Sequence, residues 1–156
     1  MTYKKVLSWA VVVFWMTVIF SLSSQVAEQS DKLSVGITGI IAQVIERAFP
    51  MLDIEISSFN YIIRKNAHFF AYLVLGVLVI NALRRSGIYS YKSVALTLIV
   101  CGLYAISDEI HQLFVPGRDG QVKDVIIDSA GSVVGVGVYM TIERIFKKRR
   151  GKQPQS

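Results

Sequence analysis

"SVALTLIVCGLYAISDEIHQLFVPGRDG", residues 93 to 120, starts as an apolar run and passes within one helical turn into Asp108, Glu109, His111 and Gln112 before a Pro-Gly-Arg turn. The apolar part ends at residue 107 and would span roughly 23 Å as a helix, short of the ~30 Å hydrocarbon core of a bilayer. Continuing the helix through Asp108 toward Val115 supplies the missing length, and it carries charge into the membrane-facing segment. The fold turns on that extension.

Three further apolar runs flank it: "VLSWAVVVFWMTVIFSL" (6–22), "AHFFAYLVLGVLVINAL" (67–83) and "VIIDSAGSVVGVGVYMTI" (125–142). The chain has 156 residues, 53% of them hydrophobic and only 18% charged, which indicates one domain of the membrane class rather than a soluble one. The pattern predicts an all-α membrane protein, a bundle of four transmembrane helices at about 5–23, 66–84, 92–113 and 124–143. These fall within a single domain, residues 1–150, followed by a flexible basic tail, 151–156. A cleaved signal peptide is the rival reading of the first run after Lys4 and Lys5. It is disfavoured by the bulky side chains, two Trp among them, and by the weak cleavage site in "SSQVAEQSDK". The lone Cys101 excludes an internal disulfide and a cysteine metal site.

Between the first two runs, "LSVGITGIIAQVIERAF" (33–49) carries apolar residues at helical spacing and stops at Pro50. This predicts a short amphipathic helix in the first outer loop, lying on the membrane surface or packed on the bundle. The basic end "KKRRGKQPQS" follows an apolar helix directly, the ordinary signature of a cytoplasmic flank, and nucleic acid is not expected as a partner.

Positive charge sets the orientation. With a cytoplasmic N-terminus, the inner segments hold Lys4, Lys5, Arg84, Arg85, Lys92 and every cation from Arg144 to Lys152 against the single acid Glu143, while the other acids lie outside. Both termini are therefore expected in the cytoplasm.

That topology brings three polar helix ends to the outer face. Arg64, His68 and Tyr72 are spaced i, i+4, i+8; Asp108 with His111 and Gln112 is i, i+3, i+4; Asp124 with Asp128 is i, i+4. Lys65 and Glu109 adjoin them. A charge near the bilayer centre costs about 2.5–3.5 kcal/mol, so these groups should face one another or water, and Asp128, a turn inside its helix, is the costliest. An interhelical clamp, with Arg64 paired to Asp108 or Asp128, is the alternative account. Two histidines, several carboxylates and Arg118 exceed what a clamp requires, which favours a functional site. Pro116 and Gly117 fit a turn that holds Arg118 back over the helix ends, placed to bind a phosphate or carboxylate. Gly131 and Gly135, with Ala130 and Gly137, permit close helix approach, within the bundle in preference to a dimer, and the oligomeric state stays open.

At these positions the chain resembles the VanZ-like family of bacterial membrane proteins. The matching stretches are "FSLSSQ", "RKNAHFFAYLVLG" and "YAISDEIHQLFVPGRDGQVKDVIIDSAGSVVG", and the family pattern singles out Arg64, Lys65, His68, Asp108, Glu109, Gln112, Pro116, Gly117, Arg118, Asp124, Asp128 and Gly131, with His111 inside the motif. The resemblance implies a multi-pass protein of the bacterial cytoplasmic membrane, in a family named for a member associated with resistance to teicoplanin-type glycopeptides. It implies no particular reaction.

Three functions compete. In the first, Arg64, Lys65 and Arg118 hold an anionic envelope component, a lipid-linked precursor or phospholipid headgroup. The catalytic candidates are then His68, Asp108, Glu109, His111, Asp124 and Asp128, with Tyr72, Gln112, Pro116, Gly117 and Gly131 in support, for hydrolysis or group transfer at the outer leaflet. In the second, His68, His111, Asp108, Asp124 and Asp128 supply N and O ligands to a divalent metal. No local spacing matches His-Glu-x-x-His, so no residue is assigned as a ligand and the cofactor stays undetermined. In the third, the protein is a non-enzymatic scaffold or partner-binding protein whose charges are clamps.

Overall fold

Four helices account for the fold: α1 (Thr2–Ser23), α2 (Ile56–Arg85), α3 (Ser90–Gln112) and α4 (Val122–Arg150). The computed structural model describes residues 2–24, 56–118 and 120–150, with side chains for 3–24, 65–118 and 120–148. The amphipathic helix expected at 33–49, the basic tail and the side chain of Arg64 lie outside the described residues. Each helix contains a segment long and apolar enough to cross a membrane: Tyr3–Ser23, Lys65–Arg85, Ser90–Gln112 and Val122–Lys148. The chain is an all-α, multi-pass membrane protein, and α3 absorbs Asp108 and Glu109 as the extended reading of its sequence requires.

The polarity of α3 is inverted relative to a helix of a soluble protein. In α3 the buried residues are Ser93, Thr97, Cys101, Ala105, Asp108, Glu109 and Gln112, at three- and four-residue spacing. Its exposed side chains include Leu96, Ile99, Leu103, Ile106 and Ile110. On this helix lipid takes the apolar face and the bundle keeps the small and polar one, whereas α1 and α2 bury apolar side chains such as Val12, Ile19, Leu75 and Val79. Three hydroxyls of α1 are satisfied locally, as Ser8, Thr17 and Ser21 each donate to the carbonyl four residues back. Three longer reaches tie α1 to its neighbours: Trp9 Nε1 donates to Ser86 Oγ at 3.1 Å, Trp15 Nε1 to the Ala71 carbonyl at 2.9 Å, and Tyr104 Oη to the Met16 carbonyl at 2.6 Å.

Helices α2 and α4 share the most extensive contact. Glycine makes it possible. A Cβ added to Gly131 would meet the Phe69 carbonyl, one on Gly135 the Leu73 carbonyl, and one on Gly76 would lie 2.6 Å from the Ser132 carbonyl. Gly131 and Gly135 thus serve packing within the bundle, whereas Gly137 faces open space and takes no part in it.

Two helices run further than their apolar runs. α2 begins at Ile56, ten residues before the expected start, and α4 continues to Arg150 rather than ending near 143. No proline interrupts either segment, so the backbone hydrogen-bond ladder propagates past the lipid-facing stretch. At the end of the bundle where α2 closes, Arg84 pairs with Glu143, which also receives Lys147 at 3.0 Å, and the Arg84 guanidinium lies 5.3 Å from the centre of the Tyr139 ring.

Replacing Gly135 by Val should force α2 and α4 apart. The expected cost is about 1–3 kcal/mol, seen as a lowered thermal midpoint of the detergent-purified protein, while Gly137→Val leaves the midpoint near wild type.

Candidate functional site

Helices α2 and α4 run in the same direction, so residues climbing one helix meet residues climbing the other. Lys65 Nζ is 2.7 Å from Asp124 Oδ1. One turn deeper, His68 Nδ1 is 3.7 Å from Asp128 Oδ2. Deeper again, Ser132 Oγ donates to the Tyr72 carbonyl at 3.3 Å. This ladder puts Lys65 and Asp124 at the rim, and His68 and Asp128 beneath them.

Helix α3 runs the other way and delivers its C-terminal turn to the same place. Ser23 Oγ, from the end of α1, donates to Asp108 Oδ2 at 2.8 Å, and Gln112 Nε2 lies 3.4 Å from the same oxygen and 3.3 Å from Glu109 Oε1. Glu109 Oε2 also accepts the backbone N–H of Gln121 at 2.8 Å, which fixes the connection into α4. Pro116 and Gly117 form the expected turn. Gly117 has φ 77° and the Arg118 N–H closes onto the Val115 carbonyl at 3.1 Å, so a β-carbon at Gly117 would be strained. Arg118 is thereby turned back over the helix ends, where Nη1 donates to Gln112 Oε1 at 3.2 Å and Nη2 lies 3.5 Å from the Leu22 carbonyl.

The candidates divide by place. His68, Asp108 and Asp128 gather, each offering one ligand atom within 4.8 Å of the others. Tyr72 lies one turn below His68 and is fully buried, and Gly131 sits at the helix contact beside them. Lys65, Asp124, Glu109, Gln112 and Arg118 form the rim and its supports. His111 stands apart: its Nε2 is 3.0 Å from Ser24 Oγ and its ring stacks on Phe20 at 4.3 Å, against α1. The i, i+3 spacing to Asp108 put both on one side of α3, but α1 captures the imidazole. Arg64 belongs to α2, with its side chain outside the described residues.

Ser23 and Ser24 were not among the candidates. The signal was the serine pair in "FSLSSQ", where two hydroxyls close an otherwise apolar helix.

Burial sharpens the centre. Asp128 is 0% exposed and Asp108 2%, and among the described residues both oxygens of Asp128, Oδ1 of Asp108 and the Tyr72 hydroxyl are buried without a hydrogen-bond partner. Buried polar groups are ordinarily satisfied, and each exception in a membrane bundle carries a cost that packing alone does not explain. An imidazole and two carboxylates in this arrangement can exchange protons, orient a hydroxyl or water, or ligate a cation.

The family model described as VanZ/LLP1 matches residues 8–146. Comparisons with curated proteins and with solved structures returned no match.

Ser23→Ala removes the hydroxyl donor of a buried carboxylate and should cost about 1–3 kcal/mol in thermal stability of the purified protein. Ser21→Ala, whose exposed hydroxyl bonds only within α1, serves as the control and should cost far less.

Proposed function

The chain belongs to the VanZ/LLP1 family, and on that premise we propose that its polar end faces outward from the bacterial cytoplasmic membrane, with both termini inside. There it binds an anionic envelope component, a lipid-linked precursor or phospholipid headgroup, and acts on it by hydrolysis or group transfer. The observation that carries this reading is the convergence of two cations, Lys65 and Arg118, on the rim of a buried His68–Asp108–Asp128 group.

Lys65 and Arg118, joined by Arg64 next in the sequence, hold the anion. Arg118 trades its bonds to Gln112 and the Leu22 carbonyl for a bidentate contact with phosphate or carboxylate. His68 is the acid/base group, held by Asp128, with Asp108 as the second carboxylate. Glu109, Asp124 and Gln112 keep the rim in shape. Altering such a component at the outer leaflet would change how teicoplanin-type glycopeptides act at the cell surface.

A non-enzymatic scaffold is the second reading. It is favoured by Ser23–Asp108, Lys65–Asp124 and Glu109–Gln121, all contacts that join separate elements. The sparse satisfaction of Asp128, whose oxygens have only the 3.7 Å contact to His68, counts against it, because a clamp satisfies its charges.

Cells carrying His68→Gln, Asp108→Asn or Arg118→Gln at normal membrane levels are expected to lose the glycopeptide phenotype and to match a deletion strain in their lipid and precursor profile. Wild-type susceptibility and profile in all three would overturn the reading. Loss that tracks a fall in thermal midpoint would instead support the scaffold. For orientation, with Cys101 replaced by Ser, Lys123→Cys at an exposed position should react with a membrane-impermeant maleimide in intact cells, and the equally exposed-class Tyr89→Cys should not.

A further inference from the structure

We infer that His68, Asp108 and Asp128 form a binding site for one divalent cation of the zinc or manganese type. The three residues come from three helices, α2, α3 and α4, and their ligand atoms lie within 4.8 Å of one another. Two ligand atoms on a tetrahedral ion with bonds of about 2.1 Å are about 3.4 Å apart, close to the 3.7 Å between His68 Nδ1 and Asp128 Oδ2. Rotation of the Asp108 side chain closes the remainder.

Asp128 supplies the independent observation. It is fully buried in a membrane helix and faces His68 and Asp108; among the described residues Oδ1 has no partner and Oδ2 has only the 3.7 Å contact to His68 Nδ1. Asp108 keeps one oxygen on Ser23 and leaves Oδ1 buried and unpartnered, and the Tyr72 hydroxyl is in the same condition. A proton shared between Asp128 and Asp108 would pair two of these four atoms and leave one carboxylate charge buried. A single dication offsets both carboxylates and gives all three residues a ligand atom's proper use.

The neighbouring donors are engaged elsewhere, which sharpens the set. Asp124 is drawn to Lys65, Glu109 to the Gln121 N–H, and His111 to Ser24. One imidazole with two carboxylates suits an ion that takes nitrogen as well as oxygen, in contrast to calcium, which prefers six to eight oxygens. Three protein ligands leave coordination positions for water or an anion's oxygen. The inference shares the site proposed above, where it makes His68 a ligand instead of the acid/base group and leaves proton transfer to water on the ion; it rests on the donor set alone, so it stands or falls apart from the identity of the anion.

The test uses the full chain purified in lipid nanodiscs, equilibrated separately with Zn2+, Mn2+, Mg2+ and Ca2+ against a weak competing chelator, with bound metal measured by elemental analysis. A single equivalent of Zn2+ or Mn2+ per chain is expected, with affinity lowered at least about ten-fold by Asp128→Asn or His68→Gln and unchanged by His111→Ala or Asp124→Asn. Absence of stoichiometric Zn2+ or Mn2+, selective binding of Mg2+ or Ca2+ instead, or equal loss in all four variants would overturn the proposal. A second measurement needs no variant: pulsed electron paramagnetic resonance of the Mn2+ protein labelled with 15N-histidine should show coupling to one imidazole nitrogen, and no coupling refutes the site. Binding of anionic lipid to the chelated protein, measured in parallel on the same nanodiscs, reports on the anion reading separately.

Discussion

The close approach of α2 and α4 governs the rest of the structure. Gly131 and Gly135 let the carbonyls of Phe69 and Leu73 come near the α4 backbone, and Gly76 admits the Ser132 carbonyl in return. Because the two helices run in the same direction, this contact sets their register residue by residue, and the register is what brings Lys65 to Asp124 and His68 to Asp128. Larger side chains at these positions would widen the helix spacing and dissolve the pairing before altering any polar residue. The chemistry of the site is therefore built on the absence of side chains a turn away.

Around that axis the bundle sorts its polar groups by cost. At the rim the charges are paired or bonded: Lys65 with Asp124 and Arg118 with Gln112. Further in, Glu109 still accepts the Gln121 N–H, Asp108 keeps only partial satisfaction through Ser23 and Gln112, and Asp128, a turn below Asp124, has none beyond the longer contact to His68. A structure selected only to hold helices together would place its best-satisfied pairs deepest, where an unpaired charge is most expensive. The gradient here runs the other way, and it is the physical basis for reading the centre as a place where something binds.

Much of this was legible beforehand. The membrane class and the four spans follow from apolar runs, and the membership of α3's charged turn in its helix follows from the length a bilayer demands. The Pro116–Gly117 turn was readable from its dipeptide because only glycine adopts positive φ there without strain. The two spans' overruns, α2 from Ile56 and α4 to Arg150, were not, since hydropathy reports where lipid lies and not where a hydrogen-bond ladder stops.

The sequence by itself determined that the polar residues collect at one end of three helices, because a bilayer leaves ionisable groups few other places and helical spacing puts each set on one face. Only the tertiary structure decided which of them meet. Spacing could not separate His111 from Asp108, yet Phe20 and Ser24 of α1 take the imidazole away from the centre. It marked Asp128 as the costliest charge but not what either aspartate meets, and the parallel register hands Asp124 to Lys65 and buries Asp128 beside His68. Nor did it single out Ser23, whose hydroxyl matters because α1 ends against α3. Periodicity within a helix fixes a direction, whereas partnership across helices depends on their relative rotation and depth, and those are set by packing between segments far apart in the chain.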